Sequence, residues 1–228
     1  MKTTILISVL ALFILAIPLF AQDEGVKDQE LEKLLEQRAQ VKQQMAAANE
    51  AGDYDKYKEL EAKWDEINEK INARQSNYQT QLKEAKRLLD QANSMLRDRK
   101  YSQALANYKK VLNYQDILDA ELVPQIQYRE AFCKERTKDY PGAVRSYESV
   151  ITNQPNYADA YAGKARALLG MGNEQEAITA FKKAIELNPE KISHHLELGI
   201  TYREMDKNEL AVAQFQKCLE LPETDSDD

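Results

Sequence analysis

Three arginines, Arg129, Arg166 and Arg203, recur at steps of 37 residues. A guanidinium offers a planar fork of donors, so a row of them at a fixed interval has the chemistry to capture carboxylates. Nearby acids, Asp90, Asp159, Glu197 and Glu204, offer the opposite outcome, a row neutralised by internal ion pairs. The other reactive side chains assemble no recognisable chemistry. His194 and His195 are the only histidines, and adjacent helical positions do not face one another, so they do not share a metal readily. HExxH and CxxC spacings, a glycine-rich phosphate loop and a GxSxG elbow are all missing from the sequence. No catalytic residue, metal site or cofactor is predicted, and the chain is not expected to be an enzyme. A formal net charge of −7 argues against a nucleic-acid partner.

The elements that would carry such side chains are helical. Charged residues make up 30% of the 228-residue chain, with only seven glycines and six prolines, too few turns for a sandwich or barrel. The chain begins MKTTILISVLALFILAIPLFAQDEG: a lysine, a long uncharged apolar run, Pro18 and the small residue Ala21. This reads as a secretory signal over 1–21 with cleavage after Ala21; the alternative is an uncleaved membrane anchor. In either case the remainder is delivered across a membrane. The expected location is exported, a bacterial periplasm, with an inner-membrane-anchored form facing the periplasm or a secreted protein as alternatives. A membrane is a partner only if the segment is retained. The last residues, 226–228, close an acidic tail.

Residues 22–84 predict a coiled-coil hairpin. Leu31, Leu34, Arg38, Val41, Met45 and Ala48 follow the alternating three-four spacing of a helical seam, which resumes at Tyr57, Leu60, Trp64, Ile67, Ile71, Arg74 and Tyr78. Gly52 and Asp53 between them supply a stop and a cap. Two such helices joined by a short turn pack antiparallel, as an internal stalk or as a surface for self-association. Arg38 and Arg74 in the seam lower its stability and set its register or leave it open to another chain.

Beyond residue 85 a unit recurs. Ala143-x3-Tyr147 precedes Pro155, Ala177-x3-Phe181 precedes Pro189, and Ala211-x3-Phe215 repeats the pair, each 34 residues after the last. Ala104-x3-Tyr108 stands 39 residues before the first of these, so five additional residues intervene, assigned to a linker DAELV that ends at Pro124. Upstream of each pair lies another small residue: Ala92, Ala131, Ala165 and Gly199. Period and pattern resemble the tetratricopeptide repeat, in units 85–118, 124–157, 158–191 and 192–225. The fold expected is all-α: a helical coiled-coil hairpin followed by an α-solenoid of about four helix-turn-helix repeats. Small residues would let paired helices approach, and Tyr108, Tyr147, Phe181 and Phe215 would fill the gap toward the next repeat. Cys133 and Cys218 fall two repeats apart, too far for a bridge, and read as buried free thiols.

The resemblance implies a concave groove, lined by the first helix of each unit, that binds an extended peptide or a partner's helix. Matched residue by residue, the groove takes Arg97 from the first unit and Tyr128, Arg129, Phe132 and Arg136 from the second. The third contributes Arg166 and Leu169, and the fourth Leu196, Ile200 and Arg203. The lysine and asparagine set with which chaperone-binding members hold a C-terminal carboxylate is missing here apart from Asn93, so that specificity is not implied. The expected function is a non-catalytic interaction scaffold of the cell envelope, binding a protein or peptide partner. The alternative is a self-assembling spacer, a homo-oligomer formed through the hairpin or through an uncapped last repeat.

Overall fold

The computed structural model describes residues 28–222. The segment read as a signal, 1–21, and the acidic tail at 226–228 lie outside the described residues. Among the described residues the chain is all-helical: α1 (Gln29–Ala51), α2 (Tyr54–Arg97), α3 (Tyr101–Leu112), α4 (Leu122–Arg136), α5 (Tyr140–Asn153), α6 (Ala158–Gly170), α7 (Glu174–Leu187), α8 (Ile192–Glu204) and α9 (Asn208–Glu220), with a 3-10 turn at Gln115–Ile117. The chain divides into two compact units. One ends at Glu84 and takes in Asp116–Asp119; the other comprises Ala85–Gln115 and the chain from Ala120 onward.

In the first unit the Asp28 carboxylate accepts the Leu31 N–H at 3.0 Å and caps α1. Gly52 ends that helix in the left-handed conformation, φ 69°, and Asp53 caps α2 by accepting from the Lys56 N–H. The facing apolar stripes then meet: Val41, Ala48 and Leu60 are buried, with Met45, Tyr57, Trp64 and Ile67 packed around them. Both seam arginines are engaged within this hairpin. Arg38 lies 5.9 Å from the Trp64 ring centre. Arg74 Nε donates to Asp28 Oδ2 at 2.6 Å, and that hydrogen bond holds the Asp28 carboxyl below its usual range.

The second unit is a stack of helix pairs: the last turns of α2 with α3, then α4 with α5, α6 with α7, and α8 with α9. Its order follows from small residues placed where helices cross. Ala92, Ala131, Ala165, Ala104, Ala143 and Ala177 are wholly buried, and Ala211 nearly so. The aromatics occupy the space that these residues leave. Tyr108, Tyr147 and Phe181 are fully buried; Phe181 shares a cluster with Leu198 and Tyr202 of the following pair. Tyr147 reaches Gly163 of the next pair so closely that an added Cβ would sit 2.3 Å from its ring. Phe215 instead lies against Gly199 of its own pair.

One turn closes every pair. Lys100, Asp139, Asn173 and Lys207 each donate their backbone N–H to the carbonyl five residues back, on Met95, Lys134, Leu168 and Tyr202. The residue just before each donor is left-handed: Arg99 (φ 59°), Lys138 (φ 66°), Gly172 (φ 80°) and Asp206 (φ 57°). This is a Schellman closure, and it recurs in the first pair at the same 39-residue offset as the alanine–aromatic motif. Pro155 and Pro189 stand two residues past the last residues of α5 and α7.

Two expectations are corrected. Pro124 does not end a linker: α4 begins at Leu122, and Pro124 is buried in its first turn, where a missing N–H breaks no helical bond. The additional residues lie earlier, between α3 and Leu122, around the 3-10 turn. Of the two unbridged cysteines, Cys133 is fully buried but Cys218 only partly. Burial pushes the Cys133 thiol up to about 12, which leaves it unreactive at neutral pH.

Gly163→Ala is expected to cost about 1–3 kcal/mol, because the buried Tyr147 ring must move to admit one methyl group. Urea unfolding checks it, and a loss under about 0.5 kcal/mol would show that the two helices are not so close. Lys138→Gly should gain up to about 1 kcal/mol by relieving the left-handed position, read as a higher melting temperature.

Candidate partner-binding groove

The first helices of successive pairs lie side by side, and side chains bridge them. Arg166 on α6 is the centre of one such bridge. Its Nε donates to Glu135 Oε1 on α4 at 2.9 Å, and its Nη1 to Glu197 Oε1 on α8 at 3.0 Å. The Tyr147 hydroxyl donates to the other oxygen of Glu135 at 2.9 Å. Burial works against the Arg166 cation, but Glu197 and Glu135 outweigh it and the pKa is raised. Arg166 is thus bound within the fold, with no free fork for a ligand.

A second bridge joins α6 to α8. Asp159 Oδ1 lies 2.9 Å from His194 Nε2, and the Lys191 ammonium is at 3.1 Å. An ionised carboxylate only accepts, so Nε2 carries the proton; Nδ1 is buried without a partner. The hydrogen bond from His194 is the main cause of an Asp159 carboxyl lowered to about 2. His195 points elsewhere, with Nε2 at 2.9 Å from the Pro189 carbonyl and Nδ1 at 2.9 Å from Gln214. Each histidine is a tie between helices, and no group of three or more metal-ligating side chains occurs among the described residues.

The remaining candidates separate by exposure. Arg129 is partly buried and donates from Nη1 to Asn93 Oδ1 at 2.6 Å. Arg97, Arg136, Leu196 and Arg203 are exposed; Phe132, Leu169 and Ile200 are partly buried. Arg136 stacks at 5.1 Å over Tyr101 and at 6.0 Å over Phe132, and those two rings meet edge to face. Tyr128 is drawn inward, 5.7 Å from Tyr147 and 5.2 Å from Tyr157, and burial pushes its hydroxyl up to about 12.

The three arginines of the 37-residue row thus have three fates: Arg129 on an amide, Arg166 between two carboxylates, Arg203 in solvent. Of the acids expected to neutralise them, only Glu197 does so. Glu135 was missed, although it stands 31 residues before Arg166, as Arg166 stands before Glu197.

The fold and this arrangement define a solenoid of helix-turn-helix repeats with side-chain ties along one face. Residues 125–157, 158–191 and 195–225 each match models of the tetratricopeptide repeat. A solved structure of MamA 41-end from Desulfovibrio magneticus RS-1 is similar in fold, with a TM-score of 0.54 and 22% identity over 84% of this chain and 97% of that one. Photosystem I assembly protein Ycf3 of Prochlorococcus marinus is 30% identical over 80 residues, 34% of this chain and 46% of that protein. Hsp70-Hsp90 organizing protein 2 of Arabidopsis thaliana is 29% identical over 113 residues, 49% of this chain and 19% of that protein. The chain spans less than half the length of these two curated relatives.

Arg166→Met should destabilise the fold by roughly 2 kcal/mol, less than a fully buried pair would lose because the site is partly wet. Glu135→Gln/Glu197→Gln combined with Arg166→Met should recover part of the loss in urea unfolding. Asp159 gives a pH test. Its folded pKa lies below its unfolded value, so its contribution is present above about pH 4 and is lost as pH falls toward 2. Asp159→Asn should flatten that limb of the stability profile, measured as urea midpoint against pH.

Proposed function

We propose that the second unit is a non-catalytic scaffold that holds a partner peptide or helix along the face formed by its first helices. The observation that carries this reading is the pairing of exposed Arg97, Arg136, Leu196 and Arg203 with half-buried Phe132, Leu169 and Ile200 on that face. Apolar and cationic groups so interleaved suit a peptide that buries side chains and meets charge. Relatives named as an organizing protein and an assembly protein support a role in bringing proteins together. The apolar start of the sequence supports work in the cell envelope, after export or at a membrane.

A second reading, self-association, is favoured by α9. Val212 and Leu219 are 53% and 87% exposed. They stand 34 residues after Ile178, which is 3% exposed, and Ile185, which packs against the core. The positions that earlier pairs cover are open here.

The two readings separate in one experiment. Leu196→Asp/Arg203→Glu, both on exposed positions, should abolish capture of partners from envelope fractions without changing the melting temperature or the mass by light scattering. Val212→Asp/Leu219→Asp should leave capture intact. If the first pair changes nothing and the second lowers the oligomeric mass, the scaffold reading fails and the spacer reading stands.

A further inference from the structure

Charge is unevenly spread along the stack. Residues 85–112 hold seven lysines and arginines against two aspartates, in a chain whose formal net charge is −7. The first helix pair is thus a basic region of an acidic protein, and the summed field there favours anions. Within it a cleft of about 450 Å³ opens at the turn between α2 and α3, lined by residues 99–103 together with Arg136 and Thr137 at the end of α4. Three of the lining side chains, Arg99, Lys100 and Arg136, are cations, and none is a carboxylate.

The three cations differ in what already holds them. Lys100 reaches Asp98 at 2.9 Å, an exposed pair that carries little net attraction. Arg99 and Arg136 are exposed, and neither makes an ion pair among the described residues. Arg136 is nonetheless held in place, since its guanidinium stacks over Tyr101 and Phe132, which are themselves packed edge to face. Stacking occupies the face of the guanidinium and leaves its edge of N–H donors open. The Ser102 hydroxyl adds a donor with no partner among the described residues, whereas the Thr137 proton is spent on the Cys133 and Lys134 carbonyls. Three cations against the single carboxylate of Asp98 leave two positive charges, which match a phosphate monoester better than a carboxylate.

We infer that this cleft binds a phosphate monoester, with Arg99 and Arg136 as forks on its oxygens and Lys100 as a point charge. A small soluble phosphate ester and the headgroup of an acidic lipid both present that terminal group. The cleft lies at the closing turns of the first two pairs. It shares only Arg136 with the groove reading above and does not depend on it.

The test uses two probes on the full chain. Glycerol 3-phosphate is titrated by calorimetry, and co-sedimentation compares vesicles of phosphatidylcholine with the same vesicles carrying phosphatidic acid. Binding of the soluble ester identifies a site for small phosphate esters; a gain with phosphatidic acid alone identifies the lipid headgroup as the source. Arg99→Gln/Arg136→Gln should weaken whichever binding is seen by about tenfold or more, and Arg99→Gln alone by about threefold. Both positions are exposed, so the melting temperature should hold. Lys109→Gln/Lys110→Gln removes the same charge from exposed positions in the last turn of α3 and should change affinity by less than about twofold. The inference is overturned if neither probe binds or if the arginine double variant binds as tightly as the native chain. It is also overturned if the lysine double variant weakens binding just as much, because the attraction would then be diffuse charge and not a site.

Discussion

Tyr147 lies against Gly163 with no room for even one more methyl group, and the rest of the repeat unit depends on that kind of approach. A pair of short helices cannot bury its own apolar face; it is stable only when the next pair closes on it. Closure needs small residues where backbones cross and a large ring to fill what remains. The wholly buried alanines on both helices of the first three pairs and the fully buried Tyr108, Tyr147 and Phe181 meet this need. Once pairs are drawn together, their first helices are side by side, and Glu135, Arg166 and Glu197 come within hydrogen-bonding reach across three of them.

The scaffold was legible in the sequence because its demands are local and periodic. A crossing point requires a small residue at a set place in every pair, so the 34-residue spacing predicts the helices and the buried alanines. The side-chain ties were less legible. Arg166 finds its partners at 31-residue offsets, a number set by the offset of one helix against the next rather than by the repeat length, and nothing in composition distinguishes Glu135 from the solvated acids around it. The contacts of Tyr128 were hidden for the same reason: its ring meets Tyr147 and Tyr157, which come from two other segments. Pro124 was misplaced because a proline stops a helix when it follows one and starts a helix when it sits in the first turn. Sequence order alone does not separate those cases.

The face that the first helices present is accordingly divided in its chemistry. Around α6 and α8 its charges are spent on holding the stack: Asp159 with His194 and Lys191, Arg166 with two glutamates. Around α2 and α4 the tie runs through an amide instead, with the Tyr108 hydroxyl and Arg129 both donating to Asn93 Oδ1. The same architecture thus joins one pair of first helices through carboxylates and another through an amide, with only a few substitutions separating the two.

The open side of α9 bears on how such a stack comes apart. Among the described residues, a helix whose outer side chains gain no cover from a further pair holds less free energy of closure than one packed on both sides. Val212 and Leu219 stand in water where Ile178 and Ile185 are sheltered. Amide protons of α9 would therefore exchange with solvent soonest, those of α5 to α7 last, and loss of structure would travel inward from that edge rather than begin everywhere at once.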